Sequence, residues 1–426
     1  MQTILILGAG KSSTVLIRTL LEQAFQEDWT VWVADGNISL ANQKIAGHPR
    51  GCSYYLDLDQ QDTWHPLLNA SDLVISMLPP SCHLTVASAC LRSGKHFLNA
   101  SYLSPELKQL NEAVQERGLV FLCEMGLDPG IDHMSAMEAI DQIHQKGGRI
   151  EKFYSHCGGL IAPESDDNPW HYKISWNPRN VVLAGNEGAR FLKDGQPVLL
   201  PYPELFDPGR TVSIPGAGTY AWYPNRDSMP YINLYGLKDV YDFVRSTLRH
   251  PDFCKGWKVL VESGCTDDSE LIDSDSTSYH DFFRSKLKNV PHLDDHIEHQ
   301  LDFLGLFQQK LIQMGRVSSA QILQRQLEEK LSLNKDDHDM ILLLHEIGYR
   351  LNNVYREVKL SLVVKGEDAI YTAMAKTVGL PLAIAAKLIL NGVIMLPGVH
   401  IPVHKSIYLP VLRELEQKSV RFTVED

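Results

Sequence analysis

A chain of 426 residues with 44% hydrophobic and 22% charged residues has material for two or three domains with substantial cores, in the proportions of an ordinary globular protein. A formal net charge of −12 excludes a basic surface for nucleic acid or anionic lipid, because no cationic excess exists to neutralise phosphates. No uninterrupted apolar run approaches the ~18–20 residues of a membrane span, and the seven cysteines, never spaced as CxxC, make neither a disulfide framework nor a zinc site. The first residues run directly into a strand without the pattern of a signal peptide, so a reducing, cytoplasmic setting is expected.

Residues 1–125 alternate short apolar runs with amphipathic segments. The runs 3–7, 30–34, 52–56, 73–76, 96–99 and 119–123 read as strands, with helices predicted at 12–26, 82–93 and 105–117. Strands alternating with helices predict an α/β fold, a Rossmann-type doubly wound parallel sheet. After the first strand, Gly8 permits a tight turn and Gly10 permits close approach of a pyrophosphate. Lys11, Ser12 and Ser13 then open a helix whose N–H groups and dipole favour an anion. Ser13 stands where a third glycine is usual. Asp35 ends the second strand, where an acid accepts hydrogen bonds from the adenosine ribose and repels a 2′-phosphate. That favours NAD over NADP, with NADP still possible. Asp57 is expected near the adenine, Ile75 and Ser76 along the cofactor, and Asn99, Ser101 and Tyr102 around the nicotinamide.

The next stretch, Glu124-Met125-Gly126-Leu127-Asp128-Pro129-Gly130-Ile131-Asp132-His133, joins a strand to a helix predicted at 134–146, with Asp132 as its N-cap. Asp128 then sits on a stiff turn at the C-terminal end of a strand, where ligands bind in open α/β sheets.

Beyond residue 146 the texture changes. Extended runs at 150–156, 181–184, 197–200, 211–214 and 218–223, separated by Gly, Pro and Asn, predict a mixed-sheet α+β domain. Residues 237–349 read as an all-helical insertion with an exposed acidic loop at 266–278. A strand at 358–364, helices at 367–378 and 382–391, a helix at 407–416 and a strand at 420–424 follow. The expected division is a cofactor domain at 1–125 with 393–426 packed back on it, a substrate domain at 126–236 and 350–392, and the insertion at 237–349. Arg226 and Arg249 each offer a fork that holds a carboxylate bidentately. His292, His296 and His299 fall at helical spacing, but Asp and Glu surround them. They read as a solvated face, and no metal is expected.

Taken together, these motifs resemble the saccharopine dehydrogenases of the L-glutamate-forming type, also called saccharopine reductases. The resemblance rests on Ser101–Leu107, Gly126–His133, Cys157-Gly158-Gly159-Leu160, Asp167-Asn168-Pro169, Tyr172–Trp176, Tyr223–Ser228, Thr247-Leu248-Arg249 and Met374–Gly379. It implies reversible, nicotinamide-dependent oxidation of saccharopine, a secondary amine joining the glutamate and lysine skeletons, to glutamate and 2-aminoadipate 6-semialdehyde. It also implies Asp128 as the proton-handling or amine-orienting group, with Cys157 and Tyr102 beside it. Ser101, Leu127, Pro129, Ser175 and Thr247 would border the substrate, and Arg226, Arg249 and Lys173 would meet its three carboxylates. A homodimer is possible. Two other readings compete with it: the same chemistry on a carboxyalkyl polyamine, and a non-catalytic dinucleotide-binding regulator.

Overall fold

A computed structural model describes residues 1–288, 290 and 293–425; His292 lies outside the described residues. The chain forms two compact units, Met1–Gln145 with Ala373–Arg421, and Lys146–Thr372 with Phe422–Asp426.

In the first unit, β1 (Gln2–Leu7), β2 (Trp29–Asp35), β3 (Gly51–Tyr55), β4 (Leu73–Ser76), β5 (His96–Asn99) and β6 (Val120–Leu122) form a sheet in the order β6-β5-β4-β1-β2-β3. A seventh strand, Gly398–His400, adds beside β6, and every pairing is parallel. Ile4 to Leu7 are fully buried, as the continuous apolar run of a strand covered on both faces requires. Leu7 lies opposite Ala34 and Ser76, and Ser76 lies opposite Asn99. The C-terminal ends of β1, β2, β4 and β5 therefore form one level edge, with the reversal of strand order between β1 and β4.

The helix Ile131–Gln145 starts earlier than expected. Asp132 lies inside its first turn rather than at its cap, and accepts the Gly130 N–H at 2.6 Å. Residues 126–145, assigned to the substrate domain in the sequence reading, pack in this unit, with the helix against Lys405–Gln417. The expected helices at 367–378 and 382–391 are one helix, Ala373–Leu390, which runs through Pro381. It is long and apolar enough to cross a membrane by length and composition, a property its two lysines hid from a search for uninterrupted runs, yet most of it is buried. It packs on the helix Thr14–Gln23 that follows the glycine turn, and a Cβ at Gly379 would stand 2.6 Å from Leu16 N.

The second unit is built on a mixed sheet. Its strands are β7 (Arg149–Ile161), β8 (Ala189–Lys193), β9 (Gln196–Leu200), β10 (Thr211–Ile214), β11 (Gly218–Pro224), β12 (Asp242–Arg249), β15 (Asp339–Leu351), β16 (Val354–Lys365) and β18 (Thr423–Glu425). A separate ribbon pairs β13 (Leu271–Asp273) with β14 (Arg316–Ser318), and β17 is the Gly398–His400 strand of the first unit. The main path runs β10-β11-β12-β7-β15-β16-β18, with β8 and β9 beside β12. Among the described strand pairs of this sheet, only β12–β7 is parallel.

Three expectations change here. Residues 181–184 are not a strand, because Asn177 caps a helix at Pro178–Val182 by accepting the Arg179 N–H. The insertion is narrower than 237–349, since β12 and β15 are strands of the main sheet. The acidic loop at 266–278 contains β13. What remains helical, between Pro251 and Lys330, packs its own Trp257 into one apolar core with Trp170 and Tyr172.

Candidate active site

The glycine turn of the first unit has the shape a dinucleotide needs. Gly8 has φ +105°, and a Cβ there would meet Met77 O at 2.9 Å, so the turn is pressed against the end of β4. A Cβ at Gly10 would meet nothing within 4 Å, which leaves the backbone open to a ligand at the start of the helical turn Lys11–Ser13. Ser13 is buried and donates to Gly10 O at 2.9 Å, so a small hydroxyl does the close packing of the usual third glycine.

Asp35 has a different role from the one expected. Its carboxylate accepts Ala9 N–H at 2.6 Å and Asn37 N–H at 2.7 Å, bracing the turn from the end of β2. Lys44 donates to Gly10 O and to Ser13 Oγ; burial pulls its ammonium down to about 8 against the attraction of Asp35. A carboxylate committed to two backbone amides with an ammonium beside it gives no ground for excluding a 2′-phosphate, so the expected NAD preference has no support. Asp57 closes its own turn, accepting Asp59 N–H at 3.0 Å and Gln60 Nε2 at 2.7 Å. Ile75 is fully buried between Ile6 and Leu98, and presents no side chain to a cofactor.

At the same edge a buried imidazole joins two strand ends. His83 Nδ1 lies 2.9 Å from Ser76 Oγ and Nε2 lies 2.8 Å from Ser101 Oγ, and burial holds the ring neutral by lowering its pKa to about 4. Asn99, also buried, accepts Ser101 N–H at 3.1 Å. Sequence reasoning passed over His83; its position at the first helical residue after β4, Pro79 and Pro80 was the available signal.

Asp128 and Tyr102 meet because the loops after β5 and β6 are stitched together. Glu124 N–H donates to Ser101 O at 3.1 Å and Met125 N–H to Asn99 O at 3.0 Å, while Leu103 N–H donates to Glu124 Oε1 at 2.9 Å. Glu124 has φ +57°, and its Oε2 lies 2.8 Å from the buried His133 Nε2. The turn itself closes by Gly126 N–H to Pro129 O at 2.9 Å, with a cis Asp128–Pro129 peptide. Gly130 has φ +149°, and a Cβ there would overlap Gly126 O, so only glycine fits. On this scaffold Tyr102 Oη donates to Asp128 Oδ1 at 3.2 Å. Leu127 and Pro129 are buried on either side.

In the second unit, one face of the sheet carries a row of side chains. Tyr223 pairs with Thr247, and Thr247 with Cys157, across β11, β12 and β7; Arg249 follows two residues after Thr247 on the same face. Arg249 is 3% exposed. Its Nη1 donates to Leu248 O at 2.8 Å, and its guanidinium lies 5.1 Å from the Tyr172 ring and 5.5 Å from the Phe253 ring. Among the described residues its Nε has no hydrogen-bond partner, no carboxylate pairs with it, and the nearby Tyr172 hydroxyl is also without a partner. Burial outweighs the attraction of Arg249 and pushes the Tyr223 phenol up to about 12, so this hydroxyl stays a donor. Tyr172 and Tyr223 were quoted in the sequence motifs but not assigned; the pull of a buried cation on aromatic hydroxyls appears only in three dimensions.

The other expected residues are placed as follows. Ser175 is buried next to Ile174, which bridges to Ser332. Arg226 is exposed with φ +51°, and its carbonyl accepts Arg190 N–H at 2.9 Å. Lys173 differs from expectation: its buried ammonium donates to Asp337 Oδ2 at 2.7 Å and Asp167 Oδ2 at 2.9 Å. Burial alone would lower its pKa, but these two carboxylates raise it, and they claim most of its donor capacity.

Residues 4–122 match the family described as saccharopine dehydrogenase NADP binding domain, and residues 126–420 match the saccharopine dehydrogenase C-terminal domain. Saccharopine dehydrogenase [NADP(+), L-glutamate-forming] of Pyricularia oryzae is 33% identical, over 98% of this chain and 97% of the relative. The protein of the same name from Saccharomyces cerevisiae is 32% identical over 98% and 97%. The apo structure of saccharopine dehydrogenase (L-Glu forming) from Saccharomyces cerevisiae superposes with a TM-score of 0.87 at 31% identity, covering 100% of this chain and 99% of that one.

Proposed function

The chain belongs to the saccharopine dehydrogenase family, and on that premise we propose that it catalyses reversible, NADP-dependent oxidative cleavage of saccharopine to glutamate and 2-aminoadipate 6-semialdehyde. The observation that carries the substrate is Arg249. A buried guanidinium without a carboxylate partner among the described residues, beside two tyrosines and Thr247, is a receptor for an anion that comes from outside the chain. Saccharopine brings three carboxylates. NADP is named in the relatives and the family profile, and nothing in the Asp35 geometry opposes it.

When bound, the dinucleotide supplies a hydride acceptor for the carbon beside the secondary amine. Gly8, Gly10 and the Lys11–Ser13 turn would hold its phosphates, and Ser101, fixed by His83 and Asn99, would border its nicotinamide end. The chain's own work is on protons. Asp128 accepts the proton that keeps the amine neutral for oxidation. That proton passes to solvent, and the regenerated carboxylate takes a proton from the water that adds to the iminium, returns it to the nitrogen, and receives the hydroxyl proton as the carbon–nitrogen bond breaks and the carbonyl forms. Tyr102 Oη, donating to Asp128 Oδ1, stabilises the carboxylate between these transfers. No covalent bond to Cys157 is needed, because the electron pair leaves with the hydride.

The test is an initial-rate assay with saccharopine, comparing NADP with NAD and following reduced cofactor and glutamate together. Stoichiometric formation of both with NADP is expected. No turnover with either cofactor, from protein that binds NADPH, would sink the activity; turnover with NAD alone would overturn the cofactor assignment.

A further inference from the structure

Two buried ionisable groups of the first unit lie outside the proton transfers assigned to Asp128. Glu124 is 3% exposed, His133 is sealed from solvent, and Glu124 Oε2 lies 2.8 Å from His133 Nε2. Asp132 Oδ2 stands 3.7 Å from His133 Nδ1, so the imidazole sits between two carboxylates. Packed apolar side chains in place of such a buried pair are often as stable or more so, and stability alone therefore does not account for it. Glu124 also holds a left-handed backbone at φ +57° without being glycine. Backbone of that kind persists where its surroundings force it, and it gathers at functional sites.

The two groups connect the loops that carry Tyr102 and Asp128. Glu124 Oε1 accepts the N–H of Leu103, the residue after Tyr102, at 2.9 Å. His133 follows Asp132, which ties down the turn from the helix side: its Oδ1 accepts Gly130 N–H at 2.6 Å, and its own N–H donates to Leu127 O at 3.0 Å. Leu127 and Gly130 are the two ends of the corner that presents Asp128. One oxygen of Glu124 thus fixes the Tyr102 loop, and the other fixes the helix start on which the Asp128 turn is hung. Between them, Tyr102 Oη donates to Asp128 Oδ1 at 3.2 Å, which is already long for an O–H···O bond. A small shift of either loop is enough to break it.

We propose, on the reading that makes Asp128 the proton-handling group, that Glu124 and His133 are positioning residues whose contact holds Tyr102 Oη on the Asp128 carboxylate. They act through Tyr102 rather than on the substrate. A hydrogen bond donated to a carboxylate favours its ionised form. The couple therefore keeps Asp128 ready to accept a proton at each step, and its loss lets Asp128 hold that proton to higher pH.

The experiment uses full-length protein carrying carbon-13 at the aspartate side-chain carboxyls, with the Asp128 signal identified by its loss in Asp128→Asn. The signal is titrated by NMR without substrate, and the pH dependence of kcat with saccharopine is measured alongside. Glu124→Gln removes the charge but still offers an oxygen to Leu103 N–H and an amide to His133. Glu124→Ala removes the same charge and both contacts, and its Asp128 midpoint is expected about one pH unit above that of Glu124→Gln. His133→Leu should raise the midpoint as well, and the acid limb of kcat should move with it while NADPH affinity is retained. In a Tyr102→Phe background, where the bond is already absent, His133→Leu should give no further rise. Equal midpoints in Glu124→Ala and Glu124→Gln, or a further rise in the Tyr102→Phe background, overturn the proposal. If circular dichroism shows Glu124→Ala unfolded, His133→Leu with and without Tyr102→Phe decides the same question. Wild-type protein that binds NADPH but does not turn over saccharopine sinks the activity alone, and the NMR titration still decides the positioning.

Discussion

At Arg249 the chain buries a permanent positive charge that, among the described residues, has no carboxylate to meet it. Isolated charges are costly to desolvate, so such a group persists where its counter-ion arrives as ligand. Lysine at this position would keep the charge but lose the planar fork and the stacking on Tyr172. Arg249→Lys is therefore expected to raise KM for saccharopine by about two orders of magnitude, with NADPH affinity unchanged. A fall in kcat alone, at constant KM, would remove Arg249 from substrate binding. His83 bears on the cofactor side of the proposed site through Ser76 and Ser101. Its ring is neutral from about pH 4 upward, so one nitrogen donates and the other accepts, and the hydroxyls of Ser76 and Ser101 are oriented as a pair. His83→Ala frees Ser101 and should weaken NADPH binding several-fold by fluorescence titration. Because the ring does not titrate near neutrality, the ratio of variant to wild-type affinity should stay flat there. A ratio that tracks a pKa near the ordinary 6.5 would contradict the neutral assignment.

At the scale of strands, a charged ladder crosses the second sheet on the side opposite Cys157. Glu346 on β15 receives Lys359 Nζ from β16 at 2.8 Å, with Lys152 of β7 at 4.0 Å. Burial pushes the Glu346 carboxyl up, but His156 and Lys359 outweigh it and hold it at about 2, against an ordinary 4.5. Of these partners Lys359 is the firmer, since His156 Nε2 stays 3.6 Å away and burial keeps that ring neutral. A depressed carboxylate pKa means the unfolded chain binds the proton first. Its contribution, of order 3 kcal/mol, is complete above about pH 4.5 and is lost as pH falls through about 2. Glu346→Gln should therefore lower stability at neutral pH and flatten its decline between about pH 4.5 and 2, as read by urea unfolding at several pH values. An unchanged acid limb would show that the ladder is ornamental. The same strands mark how far a sequence can be read. The first-unit strands were legible because each is a short apolar run between turn signals. β15 was read as helix because a fully buried strand has no alternation, and its leucines and isoleucines satisfy helical spacing equally well. At the candidate site, the places of Asp128 and Tyr102 at strand ends were legible in the sequence, and the structure brings the two side chains within hydrogen-bond distance. Asp35 and Lys173 were misjudged because a side chain's direction, onto a backbone amide or another carboxylate, is set by neighbours far along the chain.

On the scale of the whole chain, neither unit is continuous: the polypeptide leaves the first near Gln145, returns at Ala373, and leaves again near Arg421. The returning segment is integral to the cofactor unit. Its strand Gly398–His400 pairs with Val120–Leu122 at the sheet edge, and its helix Ala373–Leu390 lies against the helix that follows the glycine turn. The closeness at Gly379 leaves no room for a side chain, so this contact cannot be replaced by a looser one. Its loss exposes an apolar helix face and an open strand edge, both of which favour aggregation. The second unit gives up the short segment Phe422–Asp426, in which Thr423–Glu425 is an edge strand paired with Lys359 to Ser361 and the Phe422 ring stacks on His345. Truncation after Thr372 should accordingly be asymmetric. Residues 1–145 are expected to become protease-sensitive and to lose NADPH binding, while 146–372 survive as a resistant core with Trp170 and Trp257 still buried. A truncated chain that keeps NADPH affinity, or one digested evenly along its length, would show that the C-terminal segment is an addition to the cofactor unit rather than part of it.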